Sequence, residues 1–158
     1  MRPPPPSPGL GARSRRPGHD PATVRCSTMP TMTTPPPPVR ELETPEEMDE
    51  VMLDASVPTV IDFWSPTCGP CMAMADDFTH VASQFDADEV RFCKVNVTDH
   101  GDLATPFGVR SVPTIVFAHR GQVLDAVVGK MSAKQLGERT EWLVKKSAKK
   151  GIWSRLLG

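Results

Sequence analysis

The sequence predicts an α/β domain with a central mixed sheet of four to five strands flanked by helices. Apolar runs at 59–64, 90–97, 114–118 and 123–128 have the length and composition of buried strands. Helical patterns separate the first three runs, which indicates helical crossovers between strands. A glycine-containing turn separates the last two runs, so we expect them to pair as an antiparallel hairpin.

The 158-residue chain divides into three parts by composition and charge. Residues 1–40 hold 12 of the 18 prolines and six arginines, so we expect a disordered Pro/Arg-rich tail. Residues 41–147 are expected to form the folded domain, and 41–144 carries 7 basic against 18 acidic residues. Residues 148–158 are expected to form a basic and apolar appendage at the C-terminus.

The ends of the chain bear on localisation and partners. There is no apolar run of roughly 18 residues, so no integral membrane segment is expected. The N-terminus lacks the apolar core of a secretory signal, and its prolines disfavour the amphipathic helix of a mitochondrial transit peptide. We therefore expect a cytoplasmic protein, with an organelle as the alternative if the tail is a transit peptide. The basic ends are interpreted as solvated, so no nucleic-acid partner is expected.

The first helix begins with a strong sequence signal. Thr44 is a capping residue, Pro45 suits the first turn, and Glu47 completes a capping box. The helix should end before the Val-Pro pair that precedes the first strand. That strand, 59–64, is apolar throughout except for Asp62, as a central buried strand should be.

The second helix is expected to run unbroken from Cys68 to about Phe85, because apolar residues recur there at intervals of three and four. The strand at 90–97 follows. A short helix over 101–107 is expected next, with Asp99 as its cap.

The last elements are a hairpin and a helix. Gly121 lies in the predicted hairpin turn, and Ser132 with Gln135 forms a second capping box. The helix that begins there should end at about Lys146. The four histidines are scattered and are interpreted as surface residues: His19, His80, His100 and His119.

Two cysteines three positions apart follow the first strand in the segment Cys68-Gly69-Pro70-Cys71. If a helix begins at Cys68, its unpaired N–H groups and positive dipole favour the thiolate, which is the attacking form of cysteine. Pro70 suits the first turn, and Gly69 leaves the sulfur open to a partner. We therefore assign Cys68 as the nucleophile and Cys71 as the resolving thiol.

A C-x-x-C pattern also occurs as half of a zinc site, which needs two further ligands at compatible spacing. The remaining cysteines are Cys26 and Cys93, and the sequence has no second C-x-x-C. Cys93 lies in an apolar strand and is interpreted as a small core residue, with a secondary redox role as the alternative. We expect no metal site, and this cysteine usage suits a reducing compartment.

Over about residues 42–147 the chain resembles the thioredoxin family in both motif order and spacing. The matching segments are the strand 59–64, the complete motif 68–71, the strand 93–97, the cis-proline segment 107–114, and the hairpin glycines Gly121 and Gly129. The resemblance implies a thioredoxin fold.

The resemblance also implies roles for single residues. Asp62 corresponds to the buried aspartate that helps move the proton of the resolving cysteine, and Lys94 to the lysine paired with it. Burying a carboxylate in an apolar strand costs free energy unless the group is paired, protonated or takes part in function. The alternative for Asp62 is a position at a strand edge that faces solvent. Pro113 corresponds to the cis-proline beside the disulfide. The implied substrate groove comprises Trp64, Thr67, Gly69, Pro70, Val112, Pro113 and Gly129.

Three residues depart from the family's pattern. Thr67 stands where most thioredoxins have tryptophan, which removes a large apolar contact from the groove. Met72 replaces the usual basic residue after the second cysteine and lessens the positive charge there. Asp76 stands where the family usually has a helix-kinking proline, so we expect a straighter helix.

The function implied by the resemblance is protein-disulfide reduction by dithiol–disulfide exchange through Cys68 and Cys71, with no bound cofactor. Protein disulfides are the implied substrates, and an NADPH-dependent thioredoxin reductase would recharge the Cys68–Cys71 pair. The protein is expected to be a monomer that serves electron transport and cell redox homeostasis. Two alternatives stay open: a binding or chaperone module with little turnover, and a thiol oxidase or isomerase.

Overall fold

The computed structural model describes the backbone of residues 38–156 and the side chains of residues 38–148. The strands are β1 (Arg40–Glu41), β2 (Thr59–Trp64), β3 (Arg91–Asn96), β4 (Thr114–His119) and β5 (Gln122–Val128). The helices are α1 (Pro45–Leu53), α2 (Gly69–Met72), α3 (Ala75–Ala82), α4 (Gly101–Ala104) and α5 (Ala133–Leu156), and a 3₁₀ turn spans Thr105–Phe107.

The five strands form one mixed sheet in the order β1-β3-β2-β4-β5. The central strand β2 runs parallel to β3 and antiparallel to β4, and Asp62 lies opposite Lys94 on one side and Ile115 on the other. This architecture confirms the predicted thioredoxin fold. The short strand β1 was not expected, and it includes Arg40, the last residue of the predicted tail, which pairs with Cys93.

Helices cover both faces of the sheet, and each face has its own apolar core. Successive residues of β2 point to opposite faces, so Val60 and Ile61 belong to different cores. The core on the Val60 side includes Phe78 of α3 and Leu136 of α5. By the same alternation, Asp62 lies on the Val60 side of the sheet, beneath the helices that follow the C-x-x-C motif.

Both predicted capping boxes are confirmed. The Glu47 N–H donates to the Thr44 hydroxyl at 3.2 Å, and the Thr44 N–H donates back to the Glu47 carboxylate at 3.3 Å. At α5, the Gln135 N–H donates to the Ser132 hydroxyl at 3.3 Å, and the Ser132 N–H donates to the Gln135 side-chain oxygen at 3.0 Å. Each box satisfies backbone donors that a helix start leaves unpaired.

The prediction of one unbroken helix from Cys68 to about Phe85 is wrong, because α2 and α3 are separate helices. The Met74 N–H donates to the Cys71 carbonyl, three residues back instead of four, at 3.1 Å. The backbone therefore tightens into a 3₁₀-like turn between the two helices. The helix is interrupted although Asp76 replaces the expected proline, so the expectation of a straighter helix is also wrong.

The interruption coincides with a residue of the core. Met74 is fully buried, and its sulfur accepts a hydrogen bond from the Met131 N–H at 3.4 Å. The helix α3 also ends at Ala82, three residues before the predicted end at Phe85, because the N–H groups of Gln84 and Phe85 bond three residues back. Phe85 then packs against the apolar core from outside a helix.

Two further side-chain predictions are wrong. Asp99 does not cap α4: its carboxylate instead accepts a hydrogen bond from the Asn96 side-chain amide at 2.6 Å. His119 is not a surface residue, since β4 places it in the interior at 7% exposure. Its Nε2 atom lies 3.2 Å from the Ala55 carbonyl oxygen. The predicted position of His19 lies outside the described residues.

The last helix is longer than predicted, because α5 continues past Lys146 to Leu156. Its inner face packs on the domain through the buried residues Leu136, Thr140 and Leu143. The predicted tail up to residue 37 and the last two residues of the predicted appendage lie outside the described part of the chain. Within that described part, none of the helices has the length and apolar character needed to cross a membrane.

Candidate active site

The C-x-x-C motif lies where β2 leads into α2. Cys68 and Cys71 form a disulfide with their Cα atoms 5.3 Å apart. Cys68 is the residue that caps α2, and its sulfur accepts a hydrogen bond from the Cys71 N–H at 3.2 Å. Pro70 occupies the first turn, as predicted. A sulfur at this position receives both an N–H donor and the positive end of the backbone dipoles.

The two sulfurs differ in their access to solvent. Cys71 is buried at 2% exposure, whereas Cys68 is partly exposed. Gly69 and Pro70 are exposed beside Cys68, and a side chain added at Gly69 would meet no atom within 4 Å. An incoming disulfide can therefore reach Cys68 but not Cys71.

The loop before Cys68 is ordered by two hydroxyl groups. The Ser65 and Thr67 hydroxyl oxygens lie 2.9 Å apart, and the Thr67 N–H donates to the Ser65 hydroxyl at 3.3 Å. The Cys68 N–H donates to the Ser65 carbonyl at 3.1 Å. The sequence analysis did not single out Ser65, although a Ser-x-Thr pattern before a motif indicates such a turn.

Asp62 is buried at 1% exposure, which confirms that it does not face solvent. Among the described residues, neither of its carboxylate oxygens has a hydrogen-bond partner. Burial raises the pKa of the Asp62 carboxyl to about 6, and the charge of Lys94 acts in the opposite direction. The group can therefore hold or release a proton close to neutral pH.

Lys94 and Trp64 are in contact beside the carboxyl. The Lys94 ammonium lies 4.8 Å from the centroid of the Trp64 ring, a cation–π arrangement. Lys94 is the neighbour of Asp62 in the strand register. No hydrogen bond joins the two side chains in the part of the chain that is described, so Lys94 acts on Asp62 through its charge alone.

A further part of the proposed site is the backbone segment that leads into β4. The peptide bond between Val112 and Pro113 is cis, which confirms the prediction made for Pro113 from the resemblance. The Gly129 N–H donates to the Pro113 carbonyl at 2.8 Å, and this bond joins the proline segment to the end of β5. Gly129 has a φ of +101°, a conformation that L side chains rarely adopt.

Two apolar side chains, one in α2 and one at the end of β5, are exposed. Met72, directly after the resolving cysteine, is 53% exposed. Val128, opposite Thr114 in the sheet register, is 69% exposed. The sequence analysis noted Met72 as a departure but missed Val128, whose position in a strand looked like core. Both residues add apolar surface that a target polypeptide can cover.

The other chemistry considered for these cysteines is metal binding. Within the described residues, no group of three or more His, Cys, Asp or Glu side chains is placed to hold a metal ion. Cys93 is fully buried, which confirms it as a small core residue, and burial raises the pKa of its thiol to about 12. The predicted position of Cys26 lies outside the described residues.

Comparison with known proteins gives a consistent result. A family model described as Thioredoxin matches residues 39–141. Thioredoxin 1 of Synechococcus elongatus is 40% identical over 78 residues, which are 49% of this chain and 72% of that protein. The chloroplastic thioredoxin M-type of Pisum sativum is 33% identical over 93 residues, 59% of this chain and 54% of that protein. The Malassezia sympodialis thioredoxin structure is 30% identical with a TM-score of 0.62, covering 67% of this chain and 90% of that one.

The matched range contains every residue of the site described above. It includes the exposed and buried cysteines, the buried carboxyl and the cis-proline segment. When it is reduced, a cysteine pair at a helix start with one accessible sulfur can exchange with the disulfides of other proteins. The chain therefore belongs to the thioredoxin family and is a thiol–disulfide oxidoreductase.

Proposed function

We propose that this protein is a protein-disulfide reductase in which Cys68 is the nucleophile and Cys71 the resolving thiol. The observation that carries the proposal is the asymmetry of the pair. Cys68 is partly exposed and its sulfur accepts the Cys71 N–H at 3.2 Å, while Cys71 is buried. A hydrogen bond to sulfur favours the charged form, so the accessible cysteine is also the better nucleophile.

The reaction has two exchange steps. The Cys68 thiolate attacks one sulfur of a target disulfide, forms a mixed disulfide, and displaces the other target sulfur as a thiolate. Cys71 then loses its proton and attacks the Cys68 sulfur, which breaks the mixed disulfide and releases the second target sulfur. Two electrons pass to the target, and the protein is left with the Cys68–Cys71 disulfide.

Asp62 is the proposed proton acceptor for Cys71. It lies on the face of the sheet that α3 and α5 cover, and its pKa of about 6 suits proton transfer near neutral pH. Lys94 is the proposed positioning residue: its charge lowers the pKa of Asp62, and its contact with Trp64 fixes the ammonium.

The proposed substrate groove contains the predicted residues Trp64, Thr67, Gly69, Pro70, Val112, Pro113 and Gly129. An extended target segment would lie beside the cis-proline, where the Val112 carbonyl and amide precede β4. Thr67 is exposed and small, so it leaves open the space that a tryptophan would fill. Met72 adds apolar surface on the other side of the motif. These features favour targets with apolar residues near their disulfide.

The proposed electron source is an NADPH-dependent thioredoxin reductase, which would reduce the Cys68–Cys71 disulfide after each turnover. We also propose a monomer that maintains redox homeostasis in the cytoplasm. An organelle is the alternative compartment, because the Pisum sativum relative is named as chloroplastic. Residues 1–40, 41–147 and 148–158 are the proposed tail, domain and appendage, except that Arg40 belongs to the sheet and the backbone of α5 continues from the domain to Leu156.

Insulin reduction with dithiothreitol as the electron source tests the proposal. We expect the wild type to accelerate insulin precipitation, Cys68→Ser to abolish the acceleration, and Cys93→Ala to retain it as the matched cysteine control. Cys71→Ser should accumulate a mixed disulfide with insulin, detectable by its mass, because the resolving step is lost. Full activity of Cys68→Ser would show that these thiols do not perform the catalysis.

The same assay separates the alternatives. A wild type that does not reduce insulin but keeps it in solution would indicate a binding module, for which the small Thr67 side chain is the specific observation. Replacing dithiothreitol with NADPH and thioredoxin reductase tests the electron source. A protein that oxidises dithiols faster than it reduces insulin would instead be an oxidase or isomerase.

A further inference from the structure

The last helix continues well beyond the part of the chain that matches the family. The family model ends at Glu141, whereas α5 runs to Leu156. At 1.5 Å per residue, the additional 15 residues extend the helix by about 22 Å. From Trp142 to the C-terminus the sequence has five basic residues and no acidic residue, although the domain before it is strongly acidic.

One side of this extension combines lysines with tryptophans. At about 100° per residue, the helical register places Trp142, Lys145, Lys146, Lys149 and Trp153 within an arc of about 100°. We call these five residues the Trp-Lys stripe. The buried residues Leu136, Thr140 and Leu143 lie on a different side of α5, so the stripe is not the face that packs on the domain.

The described part of the stripe faces solvent. The Trp142 side chain is 39% exposed, and the Lys146 ammonium lies 4.4 Å from the centroid of its ring. The Lys145 ammonium is 3.0 Å from the Glu141 carboxylate, which is the last acidic group of the helix. An exposed tryptophan covered by a lysine presents an apolar ring and a positive charge to the same partner.

We propose that the Trp-Lys stripe docks the protein on the surface of a bilayer that contains anionic lipids. Lysine ammonium groups are attracted to anionic headgroups, and tryptophan rings favour the boundary between headgroups and acyl chains. The stripe runs along one helix, and its two tryptophans are 11 residues apart on the same side in the helical register. In the helical register Leu156 falls within the stripe and Ile152 beside it, and aliphatic residues favour a lipid boundary over a nucleic acid.

Vesicle sedimentation of the full chain tests this proposal. We expect binding to vesicles that contain phosphatidylglycerol, no binding to vesicles of phosphatidylcholine alone, and weaker binding as salt is added. The double variant Lys146→Gln, Lys149→Gln should bind the anionic vesicles roughly tenfold more weakly or worse. Trp153→Ser keeps every charge and should also weaken binding.

Two matched controls also remove two positive charges each. Lys130→Gln with Lys134→Gln changes the domain and the start of α5, and Arg15→Gln with Arg16→Gln changes the N-terminal segment. Both should bind vesicles as the wild type does. All variants should retain insulin reduction and the helical circular dichroism of the wild type, because none changes the disulfide site.

Several results would overturn the proposal. It fails if the wild type sediments with neither vesicle, or equally with both. It also fails if either control loses as much binding as the stripe variant, since general basicity would then explain the attraction. Unchanged binding of Trp153→Ser to the anionic vesicles would show a contact made by charge alone and would refute the role given to the tryptophans.

Discussion

From the burial of the Asp62 carboxyl we predict how the free energy of unfolding depends on pH. Asp62 is 1% exposed, and its carboxylate oxygens have no hydrogen-bond partner among the described residues. Asp62→Asn replaces it with a neutral group of nearly the same shape. Because the wild-type carboxyl must be ionised at high pH, the variant should be more stable than the wild type there.

The magnitude follows from the shift in pKa. Burial raises the pKa of Asp62 from 3.8 to about 6. The folded state holds this proton more tightly than the unfolded state does. The proton's favourable contribution to the free energy of unfolding is therefore complete below pH 3.8 and is lost as the pH rises through about 6. At 1.36 kcal/mol per unit, the ionised carboxyl should cost the folded wild type about 3 kcal/mol above neutral pH.

Urea unfolding of the oxidised proteins over a series of pH values measures this cost. The difference in free energy of unfolding between Asp62→Asn and the wild type should grow between about pH 4 and pH 7 and then level off. Asp88→Asn, at an exposed position, is the matched control and should show no such growth. A difference that stays constant with pH would refute the link between burial of Asp62 and its proton.

Three further predictions concern the fold. Thr44→Ala removes the side-chain half of the first capping box and should lower the free energy of urea unfolding by about 1 kcal/mol. Phe78→Ala removes a fully buried ring that meets Phe92 edge to face at 5.5 Å, and should cost about 3–5 kcal/mol in the same assay. Cys93, with a pKa of about 12, should resist alkylation in the native state and react only after unfolding, as peptide mass mapping would show.

Local sequence patterns predicted the parts of the fold that depend on interactions between residues close in sequence. The capping box at Thr44 depends on residues within one turn, and the apolar run of β2 is enough to identify a central strand. The burial of Asp62 was predicted from the resemblance and the neighbouring C-x-x-C motif, since its position in that run alone left a solvent-facing position open. The cis bond before Pro113 was predicted only from the resemblance, since propensity alone favours trans.

Several of the wrong predictions involve contacts between residues distant in sequence or competing local partners. The helix breaks at Met74, whose sulfur accepts a hydrogen bond from the N–H of Met131, 57 residues away. His119 is buried against Ala55, 64 residues away. Periodicity within a single segment carries no information about such contacts. The Asp99 carboxylate accepts a hydrogen bond from Asn96, the last residue of β3, and does not cap α4.

The sequence predicted the chemistry of the site but not every contact around it. The motif fixed the identity of Cys68 and Cys71, while the contact of Lys94 with Trp64 required the sheet register. The exposure of Val128 depends on β5 being an edge strand, which its apolar sequence conceals.

The most direct test of the account is the relative reactivity of the two motif cysteines in the reduced protein. Iodoacetamide at neutral pH, followed by peptide mass analysis over time, measures the alkylation rate of each thiol. We predict that Cys68 reacts faster than free cysteine and that Cys71 is protected by burial. Equal rates for the pair, or faster reaction of Cys71, would contradict the assignment of nucleophile and resolving thiol.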